Sequence, residues 1–387
     1  MKICAIICEF NPFHNGHKYL IDRAKEATEC DAVLCIMSGS FTQRGDICIQ
    51  SKSDRARHAI LNGADCVLEL PAAFAVAPAE IFARGAIKIL SSIPKVSCLA
   101  FGSESGNEED FCRAADILLN ESDQFRSVLK NALDSGESYI KSYEKAFKAC
   151  GGEPEFLSKP NNILGLEYVK AIKAARSKIA AVPIKRVGGG YSDVELKFNL
   201  SSATAIRKNI GSPLVKNNVP ECVFKDLKDF SEENATFEKL LRFAVVSGGT
   251  ENIKKVYGCA EGIENKIYAL AHSSLSEIIE SCTSRRYSSS RIKRILTANL
   301  LGLYSGDCEQ YLKSTLYLKP LAVSKDCADK ILTALAESEF PLICKQRDLN
   351  VLPQTARKCF ESDLKTSSIW NFIAGKPDNG FEYMQLI

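Results

Sequence analysis

Two histidines three residues apart, His14 and His17, are the first residues whose types and spacing could do chemistry. They end the run Glu9-Phe10-Asn11-Pro12-Phe13-His14-Asn15-Gly16-His17. Residues at this spacing share one face of a helical turn, where imidazoles can donate hydrogen bonds to phosphate oxygens that gain charge during attack at phosphorus. Gly16 allows a nucleotide to approach the backbone closely. The rings could instead only cap a turn, and the spacing alone leaves that open. No third ligand type clusters nearby beyond Glu9, so we expect no metal site.

A second polar motif, Ser201-Ser202-Ala203-Thr204-Ala205-Ile206-Arg207-Lys208, begins a short helical segment far along the chain. Its hydroxyl groups can cap the helix and contact phosphates, and Arg207 can reach a triphosphate with a bidentate guanidinium. Ordinary helix capping explains the serine and threonine equally well. The pairing with the histidine motif favours the phosphate interpretation.

The elements that must position these motifs alternate short apolar runs with amphipathic stretches, which is typical of a parallel sheet covered by helices. Strands are predicted at Lys2–Cys8, Ala32–Met37, Cys66–Leu70, Ser97–Phe101 and Ile179–Ile184. Helices are predicted at Gly16–Ala27, Ser53–Leu61, Ala79–Ser92, Glu108–Leu119, Ser122–Cys150, Asn162–Ser177 and Ser202–Ile210. The histidine run therefore follows the first strand, where free backbone N–H groups and a helix N-terminus attract phosphate.

Beyond about residue 215 the strand pattern fades and helical periodicity continues. Helices are predicted at Glu232–Ser247, Gly262–Ser273, Leu275–Ser281, Ser290–Leu303, Lys325–Glu337 and Val351–Leu364. We therefore expect an α/β, Rossmann-like, doubly wound parallel sheet over residues 1–215. An all-helical domain is expected over residues 216–387.

The charge balance excludes a strongly basic nucleic-acid binder, because 50 Lys and Arg stand against 47 Asp and Glu. The predicted helical domain carries 23 basic and 22 acidic residues. Local basic character lies between residues 285 and 294, with one aromatic residue and no acid. Such a run can bind RNA phosphates and stack on an unpaired base; a solvated basic helix face is the alternative. The candidates are Arg285, Arg286, Tyr287, Arg291, Lys293 and Arg294.

Sixteen cysteines are present without a Cys-x-x-Cys pair, and many lie within apolar runs as small buried hydrophobic residues. The apolar N-terminal segment is only six residues long, Ile3 to Cys8, too short for a signal peptide. No apolar stretch is long enough to cross a bilayer. We expect a cytoplasmic protein with reduced thiols, no membrane association and no covalent cysteine intermediate.

The paired motifs His14-Asn15-Gly16-His17 and Ser202-Ala203-Thr204-Ala205-Ile206-Arg207 resemble the HxGH and ISSTxxR motifs of the nucleotidyltransferase superfamily, with Ala203 where the second serine stands. The chain further resembles the bacterial tRNA(Met) cytidine acetate ligase family along essentially its whole length. The segments that carry this resemblance are Ile7 to Leu20, Ser38 to Gly45, Leu68-Glu69-Leu70-Pro71, Phe101-Gly102-Ser103-Glu104, Lys159 to Gly165 and Lys185-Arg186-Val187-Gly188.

The resemblance implies an enzyme that joins ATP and acetate into acetyl-adenylate, then acetylates N4 of the wobble cytidine of elongator tRNA(Met). The chemistry of that reaction assigns catalytic roles to His14, His17 and Arg207, with Mg²⁺ bridging phosphate oxygens. No protein partner is evident from the sequence. The implied ATP-binding residues are Ile7, Cys8, Glu9, Phe10, Asn11, Pro12, Phe13, His14, Asn15, Gly16, His17, Lys18, Tyr19, Leu20, Gly102, Asn162, Arg186, Val187, Ser202 and Thr204. A small-molecule adenylyltransferase and a non-catalytic, nucleotide-sensing RNA-binding protein are the alternatives.

Arg44, in the loop after the second predicted strand, is the candidate for contacting acetate or phosphate. The loop is expected at the same edge of the sheet as the histidine run, because parallel strands end there together. Lys52, Arg55 and Arg57 follow as a basic helix. A solvated loop and an ordinary amphipathic helix explain the pattern equally well.

Overall fold

Seven strands form one sheet in the order β5-β4-β1-β2-β3-β6-β7 in the computed structural model, which describes residues 1–187, 195–196, 199–378 and 380–387. Gly188, the last residue of one of the family-like segments, lies outside the described residues. All neighbouring strands are parallel except β3 and β6. The strands are β1 (Ile3–Cys8), β2 (Ala32–Ser38), β3 (Cys66–Leu70), β4 (Val96–Ser103), β5 (Ala180–Lys185), β6 (Pro320–Val323) and β7 (Gln385–Leu386).

The five strands predicted in the first half are confirmed, and the order of the sheet explains where a ligand can bind. From β1 the chain builds outward through β2 and β3, then returns to place β4 and β5 on the other side of β1. In such open sheets ligands bind in the crevice beyond the carboxyl ends of the strands, where the strand order reverses. Here that point lies between β1 and β4, directly before the histidine run.

Helices cover both faces of the first five strands. They are α1 (Asn15–Thr28), α2 (Lys52–Leu61), α3 (Ala72–Ala75), α4 (Ala79–Ser91), α5 (Glu108–Leu119), α6 (Asp123–Asp134), α7 (Tyr139–Ala149), α8 (Pro160–Ala174) and α9 (Ala203–Lys208). The single helical stretch predicted over Ser122–Cys150 is wrong, because the chain turns between α6 and α7. Gly136, at φ +85°, has the left-handed conformation that this turn requires.

The second half is helical, as predicted, but it also supplies two strands that the periodicity did not indicate. Its helices are α10 (Glu221–Asp226), α11 (Ser231–Ile253), α12 (Ile263–Ala269), α13 (Leu275–Cys282), α14 (Ser289–Leu301), α15 (Ser305–Lys313), α16 (Ala328–Ala336) and α17 (Gln354–Ile373). β6 pairs antiparallel with β3, and β7 pairs with β6. These pairings satisfy the backbone groups that the outer edge of β3 would otherwise expose. The functional division at residue 215 stays a prediction.

Alternate residues of β1 supply two apolar clusters, one on each face of the sheet. Ile3, Ala5 and Ile7 belong to one cluster, whereas Cys4 and Ile6 belong to the other. The first cluster continues through the C-terminal helices, so the two halves of the chain share a core. The cysteine thiols are all free, and each is buried or partly buried. Within the described residues, no helix combines the length and apolar character that a membrane span requires.

Candidate active site

A cavity of about 780 Å³ opens beyond the carboxyl ends of β1 and β4. The histidine run, the end of β4, the residues after β5 and helix α9 line one side of it. The turn that contains Gln43 and Arg44 also lines the cavity, and residues of helices α11, α13 and α14 complete the lining; we call this C-terminal part of the lining the far wall. The predicted crevice at the carboxyl edge of the sheet is therefore present, and the C-terminal half of the chain closes it.

The two histidines cap helix α1 and present their rings side by side. His14 Nδ1 accepts a hydrogen bond from the Gly16 N–H at 3.0 Å, and His17 Nδ1 accepts one from the His14 N–H at 3.2 Å. The rings stack with centroids 3.7 Å apart. A Cβ atom on Gly16 would lie 2.9 Å from His14 Cε1, so the glycine makes room for the imidazole as well as for any ligand.

These hydrogen bonds fix the protonation of both rings. A nitrogen that accepts from a backbone N–H carries no proton, so a neutral ring bears its proton on Nε2. Burial, with the charges of Arg186 and Arg207, lowers the pKa of His14 to about 3. Burial, with His14 and Arg186, holds the pKa of His17 well below its usual range. At neutral pH both histidines are therefore uncharged Nε2–H donors.

This arrangement predicts a stability that falls with acidification. The pKa of His14 is about 3 in the folded state against 6.5 for the free group, so between these pH values only the unfolded chain binds the proton. The free energy of unfolding should decline by about 1.4 kcal/mol for each pH unit below 6.5 through this residue alone. Denaturant titrations at pH 7.5 and pH 5 should show a smaller decline for His14→Asn, whose side-chain oxygen keeps the cap. Equal declines in the two proteins would contradict a buried neutral His14.

Arg207 joins the second motif to the first. Its Nη1 donates to the backbone oxygen of Asn11 at 2.6 Å, and its Nη2 lies 3.4 Å from Thr204 Oγ1. Ser202 caps α9 by accepting from the Ala205 N–H at 3.1 Å. The Arg207 guanidinium therefore links the two motifs, and Arg207 lines the cavity.

Polar contacts hold the end of β4, and one of them engages Asn162 outside the cavity lining. Asn162 is buried, and its side chain accepts from the Glu104 N–H at 3.0 Å. Arg186 passes over Gly102, since a Cβ atom on that glycine would lie 3.2 Å from Arg186 Cγ. Gly102 and Arg186 line the cavity, as does Val187, whereas Asn162 supports the strand end behind them.

Glu9 connects the histidine run to the turn after β2. Its Oε1 accepts from the Gln43 N–H at 2.7 Å, and burial raises the pKa of its carboxyl group. Arg55 is completely buried, and it donates to the backbone oxygens of Glu9 at 2.5 Å, of Ser38 at 3.1 Å and of Gly39. Arg55 thus ties the ends of β1 and β2 together, a role that the sequence, which indicated only a basic or an ordinary amphipathic helix here, did not predict.

The turn after β2 is also bound to helix α14. Gly45, at φ +81°, packs so closely that a Cβ atom on it would lie 2.7 Å from backbone atoms of α14. Thr297 Oγ1 donates to the Gly45 oxygen at 2.7 Å. Lys293 pairs with Asp46 at 3.1 Å, and Arg294 donates to the Gln43 oxygen at 3.3 Å. Two of the basic residues predicted to bind RNA therefore bind this turn.

The rest of the basic segment is also largely engaged within the protein. Tyr287 is buried and its hydroxyl contacts the backbone of Ala260, so its ring offers no open stacking surface. Arg291 lies over that ring, 4.1 Å from the centroid, and donates to the Gly258 oxygen. Arg286 is exposed and pairs with Glu261 at 2.7 Å.

The exposed Arg285 forms no hydrogen bond or ion pair with any residue that the structure describes. Arg294, by contrast, is partly buried, and this burial lowers the pKa of its guanidinium to about 10.

Most of the ATP-site candidates face the cavity, and the remainder support them. Among the predicted residues, those that line it are Ile7, Cys8, Glu9, Phe10, Asn11, His14, Gly16, His17, Tyr19, Leu20, Arg44, Gly102, Arg186, Val187, Ser202, Thr204 and Arg207. Those outside its lining are Pro12, Phe13, Asn15, Lys18 and Asn162. The sequence did not indicate the far wall, which consists of Asp229, Phe230, Ser231, Asn234, Phe237, Glu238, Leu241, Leu275, Ser289 and Ser290.

The chain is similar in sequence to several known proteins. The family model described as HIGH Nucleotidyl Transferase matches residues 1–382. The tRNA(Met) cytidine acetate ligase of Caldanaerobacter subterraneus subsp. tengcongensis is 35% identical, with 98% of each chain covered. That of Clostridium novyi is 36% identical, with 96% of each covered.

Two solved structures share the whole fold. Apo Thermotoga maritima TmcAL superposes with a TM-score of 0.88 at 28% identity, and the form bound with alpha-thio ATP superposes with 0.84 at 27% identity. Both comparisons cover 100% of each chain. The fold is thus shared with a protein that was crystallised with an ATP analogue.

Proposed function

Because the chain belongs to the tRNA(Met) cytidine acetate ligases within the HIGH nucleotidyltransferase family, we propose that it activates acetate with ATP and acetylates N4 of the wobble cytidine of elongator tRNA(Met). Two steps are required. Acetate first attacks the α-phosphate of ATP and releases pyrophosphate, and the cytidine amine then takes the acetyl group and releases AMP.

The observation that carries this proposal is that two Nε2–H donors and one guanidinium belong to residues that line a single cavity. His14 and His17 donate without bearing charge, whereas Arg207 supplies a permanent positive charge. A carboxylate that attacks a negatively charged phosphate needs such fixed donors, which are already oriented before the reaction. Arg44, which also lines the cavity, is the proposed contact for acetate or phosphate.

Magnesium is proposed to arrive with ATP. Among the described residues no group of three or more His, Cys, Asp or Glu side chains could hold a metal ion. Mg²⁺ commonly binds through substrate phosphates and water rather than through a dedicated protein cage. It would neutralise phosphate charge there, and no role assigned above to a side chain depends on it.

The test is to incubate the protein with ATP, Mg²⁺, labelled acetate and a tRNA pool, then digest the RNA to nucleosides. Labelled N4-acetylcytidine should form, and omission of ATP should abolish it. Matched reactions with acetyl-coenzyme A in place of ATP and acetate should give no product. Label confined to an adenylate, or adenylylation of a small phosphorylated acceptor instead, would contradict the tRNA step.

The exposed arginines 285 and 286 remain the proposed contacts to RNA phosphates within the basic segment. Replacing both with glutamine should weaken tRNA binding and reduce the salt slope by about 1 for each lost phosphate contact. Affinity should be measured at several salt concentrations, and ATP binding should not change. Arg291→Gln is the contrasting variant, because it loses its bonds to Gly258 and should lower stability. An unchanged salt slope in the double variant would remove these arginines from the RNA interface.

The free thiols suit a reducing compartment, and we place the reaction in the cytoplasm, where tRNA is the substrate. The relatives' names imply tRNA(Met) and acetate as the other participants.

A further inference from the structure

The transfer of an acetyl group to an aromatic amine requires a proton acceptor. The nitrogen lone pair of such an amine is delocalised into the ring, and the attacking nitrogen must lose a proton to form a neutral amide. The departing AMP is already a phosphate anion and needs no acid. The group that must be identified in the cavity is therefore a base.

The two histidines cannot be that base in this conformation. Each Nδ1 is occupied by a backbone N–H, and each neutral ring carries its proton on Nε2. The same feature that makes His14 and His17 good donors to phosphate removes them as proton acceptors.

Glu9 has a free acceptor atom in the right place. Its Oε1 is fixed by the Gln43 N–H at 2.7 Å, whereas its Oε2 receives no hydrogen bond from any described residue. The side chain lines the cavity between the histidine run and the turn that contains Gln43. Burial raises the pKa of the carboxyl group, while the charges of Arg207 and Arg44 oppose this rise. The carboxylate is thus more basic than one in water.

The other carboxylates that line the cavity are less suitable. Asp46 is paired with Lys293 at 3.1 Å. Asp229 accepts from both the backbone N–H and the hydroxyl of Ser231 and is exposed. Glu238 is exposed on α11, which belongs to the far wall. Glu9 alone among these four follows β1 directly and adjoins the histidine run.

We propose that Glu9 is the catalytic base of the acetyl transfer, an inference that rests on the proposed function. Its Oε2 takes the proton from the cytidine amine as that nitrogen bonds to the carbonyl carbon of acetyl-adenylate. The bond between that carbon and the phosphate oxygen breaks, and AMP leaves with the electron pair. The proton on Glu9 then passes to water.

The lining of the cavity extends beyond the nucleotide motifs to the turn after β2 and to α11, which leaves surface for a second ligand such as the acceptor base. Phe230, directly before α11, and Phe237, on α11, line this part of the cavity, and both side chains are largely buried. The total volume of about 780 Å³ falls within the usual range of ligand pockets, roughly 300–1,000 Å³.

The test separates the two half-reactions in Glu9→Gln. Glutamine keeps an oxygen to accept from the Gln43 N–H but cannot take up a proton. The first half-reaction is measured without RNA, as acetate-dependent exchange of labelled pyrophosphate into ATP. The second is measured by supplying chemically made acetyl-adenylate with tRNA. We expect the loss in transfer to exceed the loss in exchange by about 100-fold.

Equal losses in both half-reactions, or no loss in transfer, would overturn the assignment. The exchange reaction also reports whether the variant has folded its site. Glu26→Gln, at an exposed position of α1 outside the cavity lining, is the matched control and should change neither rate. If the wild-type protein transfers no acetyl group, the proposed function fails; if only the Glu9→Gln result differs from expectation, the role of Glu9 alone fails.

Discussion

Replacing His17 with asparagine should lower the rate of acetate-dependent pyrophosphate exchange by about 1,000-fold. The asparagine oxygen lies near the position of His17 Nδ1, so it can still accept the hydrogen bond from the His14 N–H, which is 3.2 Å long in the native chain. What disappears is the Nε2–H of a ring that lines the cavity. Because this donor acts where phosphate charge develops, its loss should lower the rate more than it weakens ATP binding.

His17→Gln is the complementary variant. Glutamine extends an N–H donor toward the position of Nε2 but provides no acceptor near Nδ1, so it should retain more activity than asparagine while loosening the cap. The free energy of unfolding of both variants should be measured beside their rates. Near-normal exchange in His17→Asn would mean that this ring only caps the helix.

Replacing Lys52 with methionine should lower the free energy of unfolding by about 3–5 kcal/mol. Lys52 is buried, and its Nζ lies 2.8 and 2.9 Å from the two carboxylate oxygens of Glu69 and 2.8 Å from Ser367 Oγ. Burial opposes its protonation, but the carboxylates of Glu69 and Glu382 outweigh burial and raise the pKa of Lys52. Removing the ammonium leaves the buried Glu69 charge uncompensated.

The double variant Lys52→Met with Glu69→Leu should recover part of this stability, because no unpaired charge remains. Lys18→Met is the surface control. Lys18 pairs with Asp22 at 3.0 Å, but both side chains are about half exposed, so its loss should cost less than about 1 kcal/mol. Equilibrium unfolding in denaturant measures all three. A loss for Lys52→Met no larger than that of the surface control would contradict a tightly held buried pair.

The sequence predicts the strands and the position of the histidine run because both depend on local signals. β1 and β2 are continuous apolar runs, which is typical of parallel strands buried on both faces. The position of the histidines then follows from topology, since a loop after such a strand lies at the carboxyl edge. Arg207 was predicted from its place in the second motif, and the family resemblance supported the pairing of that motif with residues nearly 200 positions earlier.

Other features depend on tertiary packing that no local pattern encodes. Arg55 and Lys52 resemble surface residues in the sequence, yet the ends of β1, β2 and β3 enclose them. Tyr287 has the composition of an RNA-stacking residue, but its ring is buried. β6 has only four residues and begins with Pro320, so no local sequence pattern indicated its pairing with β3. The far wall of the cavity exists only when α11 and α14 meet the turn after β2.

The attachment of that turn to α14 limits how this family can diversify. Thr297 and Lys293 hold the turn from one side, and Glu9 holds it from the other. A chimera that takes its first 215 residues from this chain and the remainder from a relative must therefore match across this contact and across the β3–β6 pairing. A change of RNA acceptor by exchange of the helical half alone would break both, so we expect the two halves to be inherited together.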